Sequence, residues 1–191
     1  MTPAATTGLD RAAAARGALR VLVAERGFHG ASMSAVVAQA GIATGTVYTH
    51  YASKDELVLA TYVETKAELG AAATAELDPR ADAAERFRTI WLATYRHLAA
   101  KRDHALFLLQ VDYSPYQAPA HAAVLSSADR DPLVQEAITS DLAARLQPMP
   151  LEVIYELGLG PAVRLAAGGC ELGETELRAV ADACWRAISL P

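Results

Sequence analysis

The residues best suited to directional hydrogen bonding lie between Ser32 and Lys54. Over residues 44–51, Thr44, Thr46 and Thr49 offer hydroxyls, Tyr48 a phenol, His50 an imidazole, and Gly45 bare backbone. Val47 and Tyr51 stand four apart, which predicts a short helix with those two inward and the polar set outward. Upstream, Ser32 suits the N-cap of a helix over 32–40 whose Val36, Val37 and Ala40 share one side. Gly41 closes that helix, because glycine enters the left-handed conformation without a Cβ clash, and Ile42 plugs the turn. Ser53 and Glu56 form a capping box for the next helix, with Lys54 in its first turn. The implied chemistry is recognition. Two short helices joined by a glycine turn, the second displaying donors and acceptors, form the helix-turn-helix of DNA readers.

Around this unit the chain reads as helical throughout, because Ala, Leu, Glu and Arg dominate while Ile and Phe are few. Residues 1–8 lack periodicity and are expected to form an unstructured arm. Ala15, Ala18, Leu19, Leu22 and Val23 mark one face of a helix over 9–26. Arg11, Arg16 and Arg20 lie off that face, where they either reach phosphates or form a solvated surface. Residues 54–77 read as one long helix that starts in the DNA-reading head and ends in the body before Asp78-Pro79. Further helices are expected over 82–100, 104–113, 132–147, 151–167 and 174–189, with a long loop or short broken helix over 114–131. The total is nine helices, or ten, with no strand. Pro161 inside the 151–167 pattern predicts a kink.

The 191 residues suffice for a substantial core. No apolar run reaches the roughly 18 residues of a membrane span, and no signal peptide opens the chain. Cys170 and Cys184 form no CxxC pair, which fits free thiols in a reducing cytoplasm. The net charge is −5, but residues 1–56 carry five basic and four acidic side chains, leaving 12 and 18 for the remainder. A near-neutral head thus sits on an acidic body. His29, His50, His97, His104 and His121 show no metal-ligand spacing, so no metal is expected. Gly158-Leu159-Gly160 lacks the rest of a dinucleotide fingerprint, and no catalytic cluster or cofactor motif appears. An enzyme is not indicated.

The head resembles the N-terminal domain of the TetR/AcrR family of transcription regulators, through Ala40-Gly41-Ile42, Gly45-Thr46-Val47-Tyr48, His50-Tyr51 and Ser53-Lys54-Asp55-Glu56-Leu57. Gly27-Phe28 falls where that family ends its first helix. A weaker resemblance lies in Tyr155-Glu156-Leu157-Gly158-Leu159-Gly160-Pro161, similar to the last-but-one helix of many TetR-type ligand domains. The resemblance implies a DNA-binding domain at 9–55 and a helical ligand-binding and dimerisation domain at 56–191. It places Thr44, Gly45, Thr46 and Thr49 toward the major groove, and Tyr48, His50 and Lys54 toward phosphate. It also gives Ser32 a phosphate-facing position and Ser34 a base-facing one.

Three departures stand out. Ala43 occupies the usual Ser or Thr cap of the recognition helix, Ser34 is short for its position, and residues 27–53 hold no Lys or Arg. If Thr44 caps the helix instead, its side chain is lost to base reading. With few cations, affinity should depend weakly on salt.

The expected protein is an all-helical, homodimeric, ligand-responsive repressor binding a near-palindromic double-stranded operator, without a membrane. Tyr62, Trp91, Tyr95, Phe107 and Tyr113 are candidates to line an effector pocket, the effector itself being unknown. The dimer face is expected at Tyr155, Leu159, Val163, Leu177, Val180, Cys184, Trp185 and Ile188. A second reading, a helical small-molecule-binding protein whose head has lost DNA affinity, rests on Ala43 and the missing cations.

Overall fold

In a computed structural model, residues 8–127, 131–139 and 141–190 are described. Most of the expected arm, residues 1–7, lies outside them. Among the described residues are eleven α-helices: α1 (Gly8–Gly30), α2 (Met33–Ala40), α3 (Thr44–His50), α4 (Lys54–Thr74), α5 (Ala83–Ala100), α6 (Arg102–Asp112), α7 (Gln117–Leu125), α8 (Pro132–Thr139), α9 (Leu151–Leu157), α10 (Gly160–Gly168) and α11 (Glu174–Ile188). A 3-10 turn, Ala143–Arg145, lies beyond α8. The only β feature among the described residues is an isolated bridge between Leu146 and Ser189.

The local signals for most helix starts, and for the end of α2, hold. Ser32 Oγ accepts from Ala35 N at 3.2 Å, and Gly41 closes α2 at φ 64° with its N–H on Val37 O. Asp82 Oδ1 accepts from Glu85 N at 2.8 Å. Asp131, itself buried, caps α8 by accepting from Leu133 N at 2.9 Å. Gly27, at φ 67°, turns the backbone out of helical geometry, so α1 bends there and its last residues run on to Gly30.

The count of nine needs correcting for two reasons. Residues 117–125 form α7, although their Ala-rich composition gives no periodicity to read. The 151–167 segment breaks into α9 and α10 at Gly158, three residues before the proline. Pro161 sits in the first turn of α10, where its missing N–H costs nothing. The Gly158 carbonyl accepts instead from Trp91 Nε1 at 3.2 Å. The helix predicted over 132–147 also ends early, at Thr139.

One hydrophobic core runs through the molecule. In the head, α1 packs on α2 and α3 through Ala12, Ala15, Leu19, Val36, Val47 and Tyr51, all buried. In the body, α5 is the hub, packed by α4, α10 and α11. Both regions share α1 and α4: α1 also packs against α6, and α4 reaches α7 and α8.

Candidate nucleic-acid interface

α3 is held from behind and open in front. Val47 and Tyr51 are buried against α1, while Thr44, Gly45, Tyr48 and Thr49 are exposed and Thr46 and His50 half-buried. Tyr48 has 52% of its surface accessible, which places it on the face rather than in the core. Ala43 is the N-cap residue and gives α3 no side-chain cap. Thr44 is therefore the first helical residue, and its hydroxyl stays available for recognition. The first N–H groups of α3 are correspondingly uncapped by any side chain and lie beside that hydroxyl. Thr49 Oγ1 donates back to Gly45 O at 2.9 Å, leaving its lone pairs as acceptors. On α2, Ser32 and Ser34 are exposed with their hydroxyl oxygens 2.9 Å apart.

The cations are arranged differently from the sequence-based expectation. Lys54 Nζ donates to Phe28 O, tying the start of α4 to the end of α1, and desolvation lowers its pKa. Arg16 and Arg20 turn inward, away from any phosphate path. Arg16 pairs with Glu64 at 2.6 Å and also donates to the Tyr51 hydroxyl at the end of α3. Arg20 is buried, donating to Glu64 Oε2 at 2.8 Å, Thr65 Oγ1 at 3.1 Å and the ring of His104 at 2.8 Å. Burial and the Arg20 charge hold His104 far below its ordinary range, at about 4, so the ring is neutral. A continuous polar chain thus runs from Tyr51 through Arg16, Glu64 and Arg20 to His104, joining α3, α1, α4 and α6. Arg11 stays exposed at the rim of a hollow formed by Ala14 and the α2–α3 turn.

A second contact joins head and body. Tyr116, before α7, donates to Asp55 Oδ1 at 2.6 Å, and its ring lies 4.8 Å from that of Phe28. Burial, then the Asp55 bond, pushes the phenol up to about 12. Neither contact was readable from sequence, since each partner lies far along the chain.

Of the expected pocket residues, Trp91 and Phe107 are fully buried, and Tyr95 donates to Cys170 O at 2.6 Å. These three serve the core. Tyr113, at 76% exposed, stands on the surface. Tyr62 alone joins a polar group, its ring 6.0 Å from His121. His121 lies 3.4 Å from Asp112 on α6. Nearby, Lys66 on α4 holds its ammonium 5.5 Å from the ring centre of Tyr155 on α9. Desolvation lowers Lys66 and raises Tyr62, Asp112 and Tyr155. Lys66 makes no ion pair within 4 Å among the described residues, and was not singled out in the sequence because a lone Lys in a long helix carries no signal.

Most residues expected at the dimer face lie inward. Val163, Leu177, Cys184 and Ile188 are buried in the chain's own core, and Leu159 and Trp185 pack against it. Tyr155 is half-buried over Lys66. What remains outside is a groove between α9, α10 and α11 lined by Leu157, Pro161, Ala179, Val180, Ala183 and Ala187, with the edge of Cys184. The strongly apolar stripe of α11 covers its own body, and the alanines one step around the helix face outward.

An all-helical protein with a helix-turn-helix head, whose long α4 continues into the body, has the architecture of a DNA-binding transcription regulator. Residues 12–61 match the model described as "Bacterial regulatory proteins, tetR family", and residues 83–189 match "Tetracyclin repressor-like, C-terminal domain". The chain belongs to the TetR family of bacterial transcription regulators. Its fold is similar to a regulator structure from Shewanella sp. PV-4 (TM-score 0.75, 22% identity, 95% of this chain and 99% of that one). It is also similar to one from Marinobacter aquaeolei VT8 (0.74, 19%, 95% and 96%) and one from Haemophilus influenzae Rd (0.72, 22%, 95% and 98%). Comparison with curated protein sequences gives no match. No described helix is long and apolar enough to cross a membrane.

Proposed function

We propose that the chain is a ligand-responsive repressor that binds a near-palindromic operator as a homodimer, with α3 in the major groove. The observation that carries this reading is α3 itself, buried at Val47 and Tyr51 and open at Thr44, Gly45, Tyr48 and Thr49. Thr44, Thr46 and Thr49 read base edges or thymine methyls, and Tyr48, His50 and Ser32 position the phosphates. Ser34 adds a short base contact. Lys54 fixes the angle between α1 and α4, and its contribution to phosphate binding is secondary.

The exposed groove of α9–α11 pairs with its twin, setting the two α3 helices about 34 Å apart, one turn of DNA. The effector binds among Tyr62, Lys66, Asp112, His121 and Tyr155, where the ring of Tyr155 lies over the Lys66 ammonium, which has no ion pair among the described residues. Its binding shifts α4 and α6, and the Tyr51–His104 polar chain carries that shift to α3.

Selection of purified protein against random DNA duplexes tests the reading. A two-fold-symmetric site should be enriched at near-physiological salt and lost in Tyr48→Ala and Thr46→Ala. No enrichment at physiological or low salt would overturn it, in favour of a ligand-binding module without a DNA target.

A further inference from the structure

Three side chains that DNA reading does not use converge in the body. Glu68 comes from α4, His97 from α5 and His104 from α6, and one ligand atom from each lies within 4.8 Å of the others. The imidazole rings meet edge to face with centroids 5.9 Å apart. His104 is 4% exposed. Its Nδ1, and Nε2 of His97, are buried and have no hydrogen-bond partner among the described residues. Unsatisfied buried nitrogens are rare, and two facing one carboxylate call for an occupant.

We propose that Glu68, His97 and His104 bind a divalent first-row transition-metal ion such as Zn²⁺, and that this ion competes with the Arg20–His104 hydrogen bond. Two imidazoles and a carboxylate are borderline donors of the kind such ions prefer, and three protein ligands leave one position open. With bonds of 2.0–2.2 Å, tetrahedral ligand atoms sit roughly 3.3 Å apart, so the three groups must close by at most about 1.5 Å. Glu68 is the mobile member, since its carboxylate is half-exposed and its present partner is Lys101 at 3.0 Å. The ion displaces that ammonium.

The competition follows from counting protons on one ring. Arg20 Nη1 can only donate, so the His104 Nε2 that it faces at 2.8 Å must be the acceptor, and the proton sits on Nδ1. A metal on Nδ1 needs that lone pair. The ring proton then moves to Nε2, where two donors face each other and Arg20 must withdraw. Asp103 waits 3.9 Å from Nε2 and can accept the new N–H, completing a carboxylate–histidine–metal triad. Arg20 is the link that holds Glu64 and Thr65, so occupation of this site loosens the joint between body and head at its centre.

The test uses the full chain, stripped with chelator and titrated with Co²⁺, whose visible absorption reports tetrahedral ligation, and with Zn²⁺ in competition. One ion per chain is expected. Affinity should fall more than about tenfold in His97→Ala and in Glu68→Gln, both at partly exposed positions and checked for unchanged helical circular dichroism. His29→Ala, altering an exposed histidine outside the cluster, should bind as the parent does. Arg20→Gln removes the competitor and should bind more tightly. Absence of Co²⁺ bands, or bands that survive in His97→Ala and vanish in His29→Ala, would overturn the site. Unchanged affinity in a folded Arg20→Gln would overturn the competition. No DNA enters these titrations, so their failure leaves the operator-binding reading standing.

Discussion

The face of α3 and the seam behind it are built from opposite materials. The face is neutral, with three threonines, a tyrosine, a histidine and a glycine, and no Lys or Arg between residues 27 and 53. The seam holds the charges: Arg16, Arg20 and Glu64 are linked within 3 Å and close on Tyr51 at one end and His104 at the other. In a DNA-binding head one looks for arginines on the DNA side. Here two of the head's five cations form the joint to the body, and a third, Lys54, ties α4 to Phe28. The difference separates two tasks. In the proposed reading, neutral hydroxyls give the face its choice of base, while the directional bonds of guanidinium to carboxylate fix the angle at which the face is presented.

Four changes would break or sharpen this contrast. The largest effect is expected at the seam. Arg20→Met takes away one of the two guanidinium partners of Glu64 and the donor that serves Thr65 and His104, and should lower stability by about 3 kcal/mol in urea unfolding. A loss below roughly 1 kcal/mol would show that the chain is solvated and does not act as a joint. On the face, Thr46→Ala should leave unfolding unchanged and weaken binding to a selected operator by about 1–2 kcal/mol, as a single base contact does. If it instead weakens all DNA sequences equally, the hydroxyl reads phosphate. Tyr51→Phe removes only the hydroxyl where seam meets face. A cost near 1 kcal/mol is expected by thermal denaturation, with a smaller loss of operator affinity through misplacement of α3. Ala43→Ser supplies the missing cap and should raise stability by about 0.5–1 kcal/mol. Its effect on DNA affinity then shows whether a freer α3 terminus matters for recognition.

The face was largely legible in the sequence and the seam was not. Ser32, Gly41, Ser53 and Glu56 act on backbone within four residues of themselves, so their spacing reveals the turn directly. Even there one detail moved: Glu56 accepts from Ala52 N, one residue beyond the cap that a strict capping box would serve. Arg16 and Arg20 could be placed off the apolar stripe of α1, but their partners come from α4 and α6. Nothing local distinguishes an arginine facing solvent from one facing a second helix. The same limit applies to α11. Its stripe Leu177, Val180, Cys184, Trp185 and Ile188 was visible, yet whether that stripe covers the chain's own α5 or a partner depends on packing. Glu68, His97 and His104 lie on three helices and form no motif. Pro161 marked a disruption correctly, but the backbone chose glycine at 158 as the cheaper place to break.

The scarcity of positive charge around the recognition helix, with Arg11 alone at its rim among the described cations, also bears on how such a protein finds its target. Non-specific attraction to the genome comes almost entirely from cations meeting phosphates and fades steeply with salt. A reader with few of them spends little time sliding on wrong sequences, and few copies are sequestered along the chromosome. Its occupancy of the right site also changes little when intracellular potassium rises under osmotic stress. The cost is a slower encounter, because little long-range attraction steers it in. A neutral face therefore suits a regulator kept at low copy number, whose switching is set by its effector more than by the ionic state of the cell.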